Sequence, residues 1–199
     1  MQWFVRLKVM HKLMLSFGIV LTITAALGLF ASNELASVND KANEINTNWL
    51  PSVRECSQIA ILANSFRIAE LAHSLSNDDA RKAEYEKRLE SIGEKIQEVS
   101  TGYQKLIASD EERTLFQEAS RQWNLFLKEH EKLIDLSKSG QTEEALNHMR
   151  GVSRDTFNAA SQKLEELIAY NSHGAKVASD ESNEIYATSR TTIIGANAA

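Results

Sequence analysis

The sequence predicts an all-α protein: an up-down-up-down four-helix bundle whose first and last helices continue into membrane helices. Three observations lead to this prediction. The 199 residues include one proline and eight glycines, and all-β folds need more of both as turn residues. Apolar residues recur at spacings of three and four along most of the chain, which is the period of an amphipathic helix. A charge-free apolar segment near the N-terminus is long enough to cross a bilayer.

That charge-free segment covers residues 13–33 and reads LMLSFGIVLTITAALGLFASN. As a helix it spans a bilayer core of about 30 Å. Three basic residues precede it and all 27 acidic residues follow it, which places residues 1–12 in the cytoplasm. The alternative is a cleaved signal peptide, whose apolar part is usually about 7–15 residues long and ends in a small-x-small site. Because Leu29 occupies the position that should be small, we expect a retained transmembrane helix.

Residues 34–190 are predicted to form one helical domain beyond this anchor. The segment is strongly acidic, since all the Asp and Glu residues and most of the Lys and Arg residues fall within it. It therefore repels phosphate backbones, and nucleic-acid binding is excluded as an expected function. Residues 191–199 read TTIIGANAA, and we expect them to begin a second membrane helix that is cut short. The single cysteine, Cys56, permits no intrachain disulfide.

The first helix of the domain is predicted to be continuous with the anchor and to end at a turn and cap cluster, residues 76–79. Pro51 lies inside this helix, so we expect a kink or a local loosening there. A heptad seam from Tyr85 to Leu106 predicts the second helix. The third begins at the capping box that follows Ser109 and ends at Gly140.

A short helix is predicted from Thr142 to about Arg150, and the last helix from about Val152. The first helix carries two apolar stripes at heptad spacing. One stripe consists of Val38, Ala42, Ile45, Trp49, Ser52, Cys56, Ile59, Ala63 and Phe66, and the other of Leu50, Arg54, Ser57, Ile61, Asn64, Ile68, Leu71 and Leu75. Because one stripe is enough to pack a helix into its own bundle, the second predicts another partner, such as the same helix of a twin subunit.

The chain has a basic start, a first anchor, the segment NWLPSVR at 48–54 and the segment RIAE at 67–70. In these features it resembles the four-helix-bundle sensory domain of bacterial methyl-accepting chemotaxis receptors. The resemblance extends through 171–175 and 186–190 towards a second anchor. It implies a homodimer in the bacterial inner membrane, with the sensory domain in the periplasm. It further implies a small ligand bound between subunits and signalling to downstream chemotaxis proteins through a missing C-terminal part.

In that family, aspartate receptors carry arginines seven, twelve and sixteen residues after the matching tryptophan. Counted from Trp49, these positions hold Cys56, Ile61 and Ser65. The aspartate pattern is therefore absent, and a different ligand or a different pose is expected.

Arg54 in the second stripe of the first helix, and Arg67 on its flank, indicate an anionic ligand, because a guanidinium in a helix seam is costly unless an anion meets it. Arginine also binds carboxylates through two parallel hydrogen bonds. Equal heights on the first and last helices place Thr156 opposite Arg67. The predicted ligand-binding residues, for a small carboxylate or an amino-acid-like ligand, are Arg67, Asn64, Thr156, Arg54, Ser57 and Ile61. The alternative for Arg67 is a salt bridge with Glu70, three residues further along the helix.

An enzyme is not expected, because the five histidines are dispersed and no pair has the i, i+4 spacing of metal ligands on one helix face. No cofactor and no metal site are predicted. Two further alternatives stay open. The output beyond residue 199 could be a histidine kinase or a cyclase, or the chain could be a membrane-tethered structural coiled coil without a ligand. A sensor of this kind can also read a binding protein in place of a free ligand.

Overall fold

The computed structural model describes residues 8–198 of the chain, so residues 1–7 and Ala199, which belong to the predicted cytoplasmic N-terminus and second anchor, lie outside the described part. The described residues form helices and turns without a strand. The elements are α1 (Val9–Glu44), a π-helical turn (Ile45–Trp49), α2 (Leu50–Leu75), α3 (Asp79–Gln104), α4 (Asp110–Lys138), α5 (Thr142–Arg150) and α6 (Val152–Ala198). The all-α prediction is confirmed.

The chain divides into two compact units. One contains the residues up to Ile45 together with those from Val177 onward, and the other contains Asn46–Lys176. The second unit is the four-helix bundle, made of α2, α3, α4 and the first part of α6. The short helix α5 connects α4 to α6.

In the first unit, α1 and the end of α6 are joined by polar contacts. Lys41 forms a salt bridge of 2.7 Å with Glu181, and the hydroxyl of Ser189 donates a hydrogen bond of 2.9 Å to Glu34. The helical chain that contains α1 is long and apolar enough to cross a membrane, and its most apolar stretch is not buried at all.

In the bundle, neighbouring helices in the chain run antiparallel. Asn48, in the π-helical turn just before α2, donates a hydrogen bond of 2.6 Å to the carbonyl of Leu106, just beyond the end of α3, while His73, near the end of α2, faces Glu86 near the start of α3. Three-residue and five-residue connections join α2 to α3 and α3 to α4, which is typical of antiparallel neighbours. The up-down-up-down order is therefore the observed one.

The helix ends follow the predicted capping residues. Asp78 caps α3 by accepting hydrogen bonds from the backbone amides of Ala80 and Arg81, and Ser109 caps α4 by accepting one from Glu112. Gly140 has a φ of 70° in the turn that ends α4, a conformation that favours glycine. These contacts satisfy backbone groups that a helix end leaves without partners.

The loosening expected near Pro51 is a π-helical turn over Ile45–Trp49, directly before α2. Proline has no N–H to donate, so it breaks the regular hydrogen-bond ladder unless it lies in the first turn of a helix. The π-helical turn ends the regular hydrogen-bond ladder of α1 before Pro51, so Pro51 lies in the first turn of α2. The chain stays helical through this one wider turn.

The core of the bundle has two apolar clusters. The larger contains Ile59, Ala63, Phe66, Ala69, Leu89, Ile92, Ile96, Ala119, Phe126, Ile134 and Leu164, and the smaller contains Cys56, Tyr103, Phe116 and Leu167. From Ser52 to Phe66, the first predicted stripe of α2 supplies buried residues at each of its positions. We call the end of the bundle at the α2–α3 turn its upper end, and the end at the α3–α4 turn its lower end.

Candidate functional site

The second predicted stripe of α2 lies on the surface of the bundle. Its large apolar members are unusually exposed: Ile61 is 66% exposed, Ile68 62% and Leu75 62%. Leu50, at the start of the helix, is 51% exposed. We call this face the α2 stripe; its residues are Leu50, Arg54, Ser57, Ile61, Asn64, Ile68, Leu71 and Leu75. A row of exposed apolar side chains at helical spacing is typical of an interaction surface.

Polar residues interrupt the α2 stripe between its apolar ends. The side chain of Arg54 is 73% exposed and forms an ion pair of 2.9 Å with Glu55, its neighbour in the chain. The side-chain amide of Asn64 is exposed and donates to the carbonyl of Ala60, one turn earlier. Ser57 is half-buried. Arg54 and Asn64 are thus bound only within their own helix in these contacts, and both can be reached from solvent.

Beside the α2 stripe, a groove of about 1470 Å³ runs between α2 and α3. Arg54 and Glu55 line it from α2, and the charged residues that line it from α3 are Glu94, Lys95 and Glu98. Arg54 therefore borders both the exposed stripe and the groove. A small ion could approach its guanidinium from either side.

Arg67 occupies a different position, since its side chain points into the core of the bundle. It forms a buried ion pair with Glu70 and donates hydrogen bonds to the Ser153 hydroxyl at 2.7 Å and to the carbonyl of Met149 at 3.0 Å. The guanidinium also lies 5.6 Å from the ring centre of Phe157. The salt bridge with Glu70, which the sequence left as an alternative, is the one observed.

No direct contact that the structure shows joins the side chain of Arg67 to that of Asn64 or Thr156. Thr156 is half-buried, and its hydroxyl donates to carbonyls of its own helix. The predicted register between α2 and α6 is nevertheless close, because Arg67 meets Ser153, only three residues from the expected Thr156. A ligand pocket built from these residues stays a prediction.

Glu70 has a second partner that the sequence analysis missed. Its carboxylate is fully buried and lies 2.9 Å from Nδ1 of His130, whose ring packs edge-on against Phe66. The apolar spacing of α4 contained a signal for this contact. Phe126 and Leu133 lie one heptad apart, and His130 occupies the core-facing heptad position between them.

A second buried polar cluster was also missed, near the lower end of the bundle. The Tyr103 hydroxyl donates to Glu112 at 2.7 Å and accepts a hydrogen bond of 2.9 Å from the amide of Asn171. Burial raises the pKa of Tyr103 well above its usual range. Burial also raises the pKa of the nearby Cys56 thiol to about 12, so both groups stay protonated at neutral pH. The hydrogen bonds of Tyr103 to Glu112 and Asn171 join α3, α4 and α6.

Among the described residues, no group of three or more His, Cys, Asp or Glu side chains is placed to hold a metal ion. The α2 stripe presents exposed apolar side chains together with the guanidinium of Arg54, groups that can recognise a protein surface and an anion.

Comparison with known proteins places the chain in a family. The family described as a four helix bundle sensory module for signal transduction matches residues 6–186. The sensory transducer protein YvaQ of Bacillus subtilis (strain 168) is 23% identical over 184 residues, which cover 91% of this chain and 32% of that protein. The chain thus spans about a third of the length of this relative. The chain belongs to the family of four-helix-bundle sensory modules of chemotaxis-type transducers.

Proposed function

We propose that this module binds a small carboxylate or amino-acid-like anion at an interface between two copies of the chain and signals across the bacterial inner membrane. The observation that carries the proposal is the α2 stripe, in which exposed apolar residues at both ends flank Arg54, Ser57 and Asn64. The apolar residues at the two ends of the stripe can pack against a second protein surface. The polar residues between them can bind a ligand.

A second copy of the chain fits the α2 stripe best. The stripe repeats at heptad spacing over the whole of α2, and a coiled-coil seam between two such helices buries residues like Ile61 and Ile68. A two-fold axis lets the same face serve both partners. The two Arg54 side chains then lie close to the same axis, where their mutual repulsion favours a bound anion.

Arg54 is the proposed anion-binding residue, with Ser57, Ile61 and Asn64 completing the pocket. Its guanidinium is 73% exposed and pairs with the adjacent Glu55, whose side chain is 19% exposed; an ion pair that is open to solvent on one side contributes little to stability. Arg54 can therefore exchange Glu55 for a ligand carboxylate at small cost. Arg67 would have to leave a buried carboxylate to do the same, so its part in the pocket, with that of Thr156, is secondary in this proposal.

The membrane topology is part of the same proposal. Residues 13–33 form the first transmembrane helix, residues 34–190 the periplasmic sensory domain, and residues 191–199 the start of a second transmembrane helix. Support comes from the exposed apolar stretch of α1 and from the basic residues Lys8 and Lys12 on its N-terminal side. Ligand binding would then bias two arrangements of α2 and α6, and downstream chemotaxis proteins would read the difference.

Calorimetry of the full chain in lipid nanodiscs, with succinate, malate and citrate as probes, tests the proposal. We expect binding of at least one probe, and Arg54→Ala should weaken it by about 2 kcal/mol, or ~30-fold, as for a lost charge partner in an interface. The matched control is Arg121→Ala, which removes an exposed arginine of α4 that pairs within its own helix. Equal affinities of the Arg54→Ala variant and the unmodified chain would remove Arg54 from the site.

A further inference from the structure

The upper end of the bundle contains a histidine that the proposed function does not use. His73 is fully buried on α2, just before the turn to α3. Its Nε2 lies 3.2 Å from a carboxylate oxygen of Glu86 on α3, and the other oxygen of Glu86 pairs with Lys138 of α4 at 2.8 Å. Through Glu86, this one imidazole links three helices.

The hydrogen bond between the His73 imidazole and Glu86 determines which ring nitrogen carries the proton. Because Nε2 faces a carboxylate, Nε2 carries the proton and donates it. Nδ1 is buried and finds no hydrogen-bond partner among residues 8–198. A second proton would have to bind at Nδ1, where it would find no acceptor, and a buried donor without a partner is costly.

The charged groups that face His73 come from both helices packed against α2 here. Glu86 and Lys82 approach from α3, and Lys138 approaches from α4. Lys82 also donates a hydrogen bond of 2.6 Å to the carbonyl of Ser137 on α4. Glu86 favours the protonated imidazole, whereas burial and the two more weakly acting ammonium groups oppose it.

A small cleft connects this region to solvent. It has a volume of about 280 Å³, and Glu86, Glu90 and His130 are among the residues that line it. His130 in turn pairs with Glu70, which also binds Arg67. One member of each histidine–carboxylate pair, Glu86 and His130, lines the cleft, whereas His73 lies behind Glu86 and does not line it.

We propose that the upper end of the bundle is a proton-binding site and that protonation of His73 opens the contact between α2 and α3, so that the module responds to acidification as well as to its ligand. This function is separate from the α2 stripe, and it holds or fails independently of carboxylate binding. Loosening at this end also reaches the start of α6, because Glu70 holds Arg67, and Arg67 holds Ser153.

The expected direction of the pH effect follows from the surroundings of the imidazole. Burial is the main cause that lowers the pKa of His73 below its usual value, and the hydrogen bond to Glu86 opposes it. An open form, in which His73 is solvated, binds the proton more readily than the closed form does. Stability of the closed form is therefore complete above the ordinary histidine pKa of about 6.5 and is lost as the pH falls below it.

Hydrogen–deuterium exchange of the full chain in lipid nanodiscs, at pH 7.5 and pH 5.5 and corrected for the intrinsic exchange rate, tests this. The peptides to follow are those on both sides of the α2–α3 turn. We expect their opening to increase by up to about tenfold at pH 5.5, one unit below the usual histidine pKa. Peptides around Tyr103, at the lower end, should keep their protection.

Two variants separate His73 from a general effect of acid. His73→Gln keeps a donor for Glu86 but binds no proton in this range, so its exchange should be the same at both pH values. His173→Gln, which removes an exposed histidine of α6, should keep the full pH response. A response that persists in His73→Gln overturns the proposal.

Nuclear magnetic resonance of labelled histidine in the unmodified chain decides the question if His73→Gln fails to fold. His73 should titrate below the ordinary histidine pKa of about 6.5, because the closed form resists protonation. If His73 titrates at or above that value, or if the turn keeps its protection at pH 5.5, the proposal is wrong.

Discussion

The indole ring of Trp49 lies directly against Gly174, so close that a Cβ atom on residue 174 would be 2.4 Å from two of the ring carbons. Trp49 ends the π-helical turn before α2, and Gly174 lies on the facing side of α6. The ring also packs at an angle against Tyr170, one turn earlier on α6, with 6.3 Å between ring centres. The absence of a side chain at residue 174 therefore fixes how closely α6 approaches the start of α2.

We predict that Gly174→Ala destabilises the bundle, because the new methyl group must displace the ring of Trp49. Overpacking of this kind costs about 1–3 kcal/mol. Urea unfolding of the full chain in nanodiscs, followed by circular dichroism, measures the loss.

Gly102→Ala is the control for this substitution. Gly102 lies in α3, and a Cβ there meets nothing within 4 Å. Replacing a helical glycine by alanine in open space should stabilise the chain by up to about 1 kcal/mol. If both variants shift stability in the same direction, the contact between Trp49 and Gly174 does not limit the packing of α6.

Arg67→Met is predicted to be strongly destabilising. It leaves the carboxylate of Glu70 fully buried without its guanidinium partner, and breaking a buried pair on one side costs about 3–5 kcal/mol. The same unfolding measurement applies. The control is Arg154→Met, which removes a 60% exposed arginine paired with the adjacent Asp155 and should change stability by less than about 0.5 kcal/mol. Equal effects of the two variants would contradict the structural role of Arg67.

Cys56 should be nearly inert towards thiol reagents. The thiolate is the reactive form, and burial raises the pKa of this thiol to about 12. At pH 8 its reaction with a disulfide reagent should be at least about a hundredfold slower than in the chain unfolded by guanidinium. The comparison variant is Gln117→Cys, whose thiol on the exposed side of α4 should react quickly. Similar rates for the native and unfolded chain would show that Cys56 is accessible.

Much of the fold could be predicted because it depends on local patterns. Heptad spacing identified the buried stripe of α2 from Ser52 to Phe66, and short polar clusters identified the caps at Asp78 and Ser109. The lone proline predicted the irregular turn that precedes α2. These signals lie within a few residues of the feature they specify.

The buried polar contacts could not be predicted in the same way, because their partners are far apart in the chain. Glu70 and His73 continue the buried stripe of α2 beyond Phe66 at steps of four and three, yet their charge made them look like surface residues. What allows their burial is His130 on α4 for one and Glu86 on α3 for the other. Spacing reveals that a residue faces the core but does not reveal which distant group satisfies it.

The candidate site shows the same limit. The α2 stripe was recognised from spacing alone, and its apolar members are exposed as a second interface requires. The angular position of an arginine around the axis of α2 decides whether its side chain points to the stripe or into the bundle. The two positions differ by a fraction of a helical turn. Arg54 points outward, whereas Arg67 is drawn inward by Glu70 and Ser153.

The α2 stripe as the interface between two copies is the central claim, and oxidative crosslinking of the full chain in membrane vesicles tests it most directly. A disulfide forms only where the Cα atoms of two cysteines come within about 4.4–6.8 Å. Ile61→Cys should therefore crosslink rapidly into a covalent dimer, while Gln117→Cys, on the exposed side of α4, should not. The unmodified chain, with buried Cys56 alone, is the blank. Dimers from Gln117→Cys at a rate equal to that of Ile61→Cys, or no dimer from Ile61→Cys, would contradict the claim.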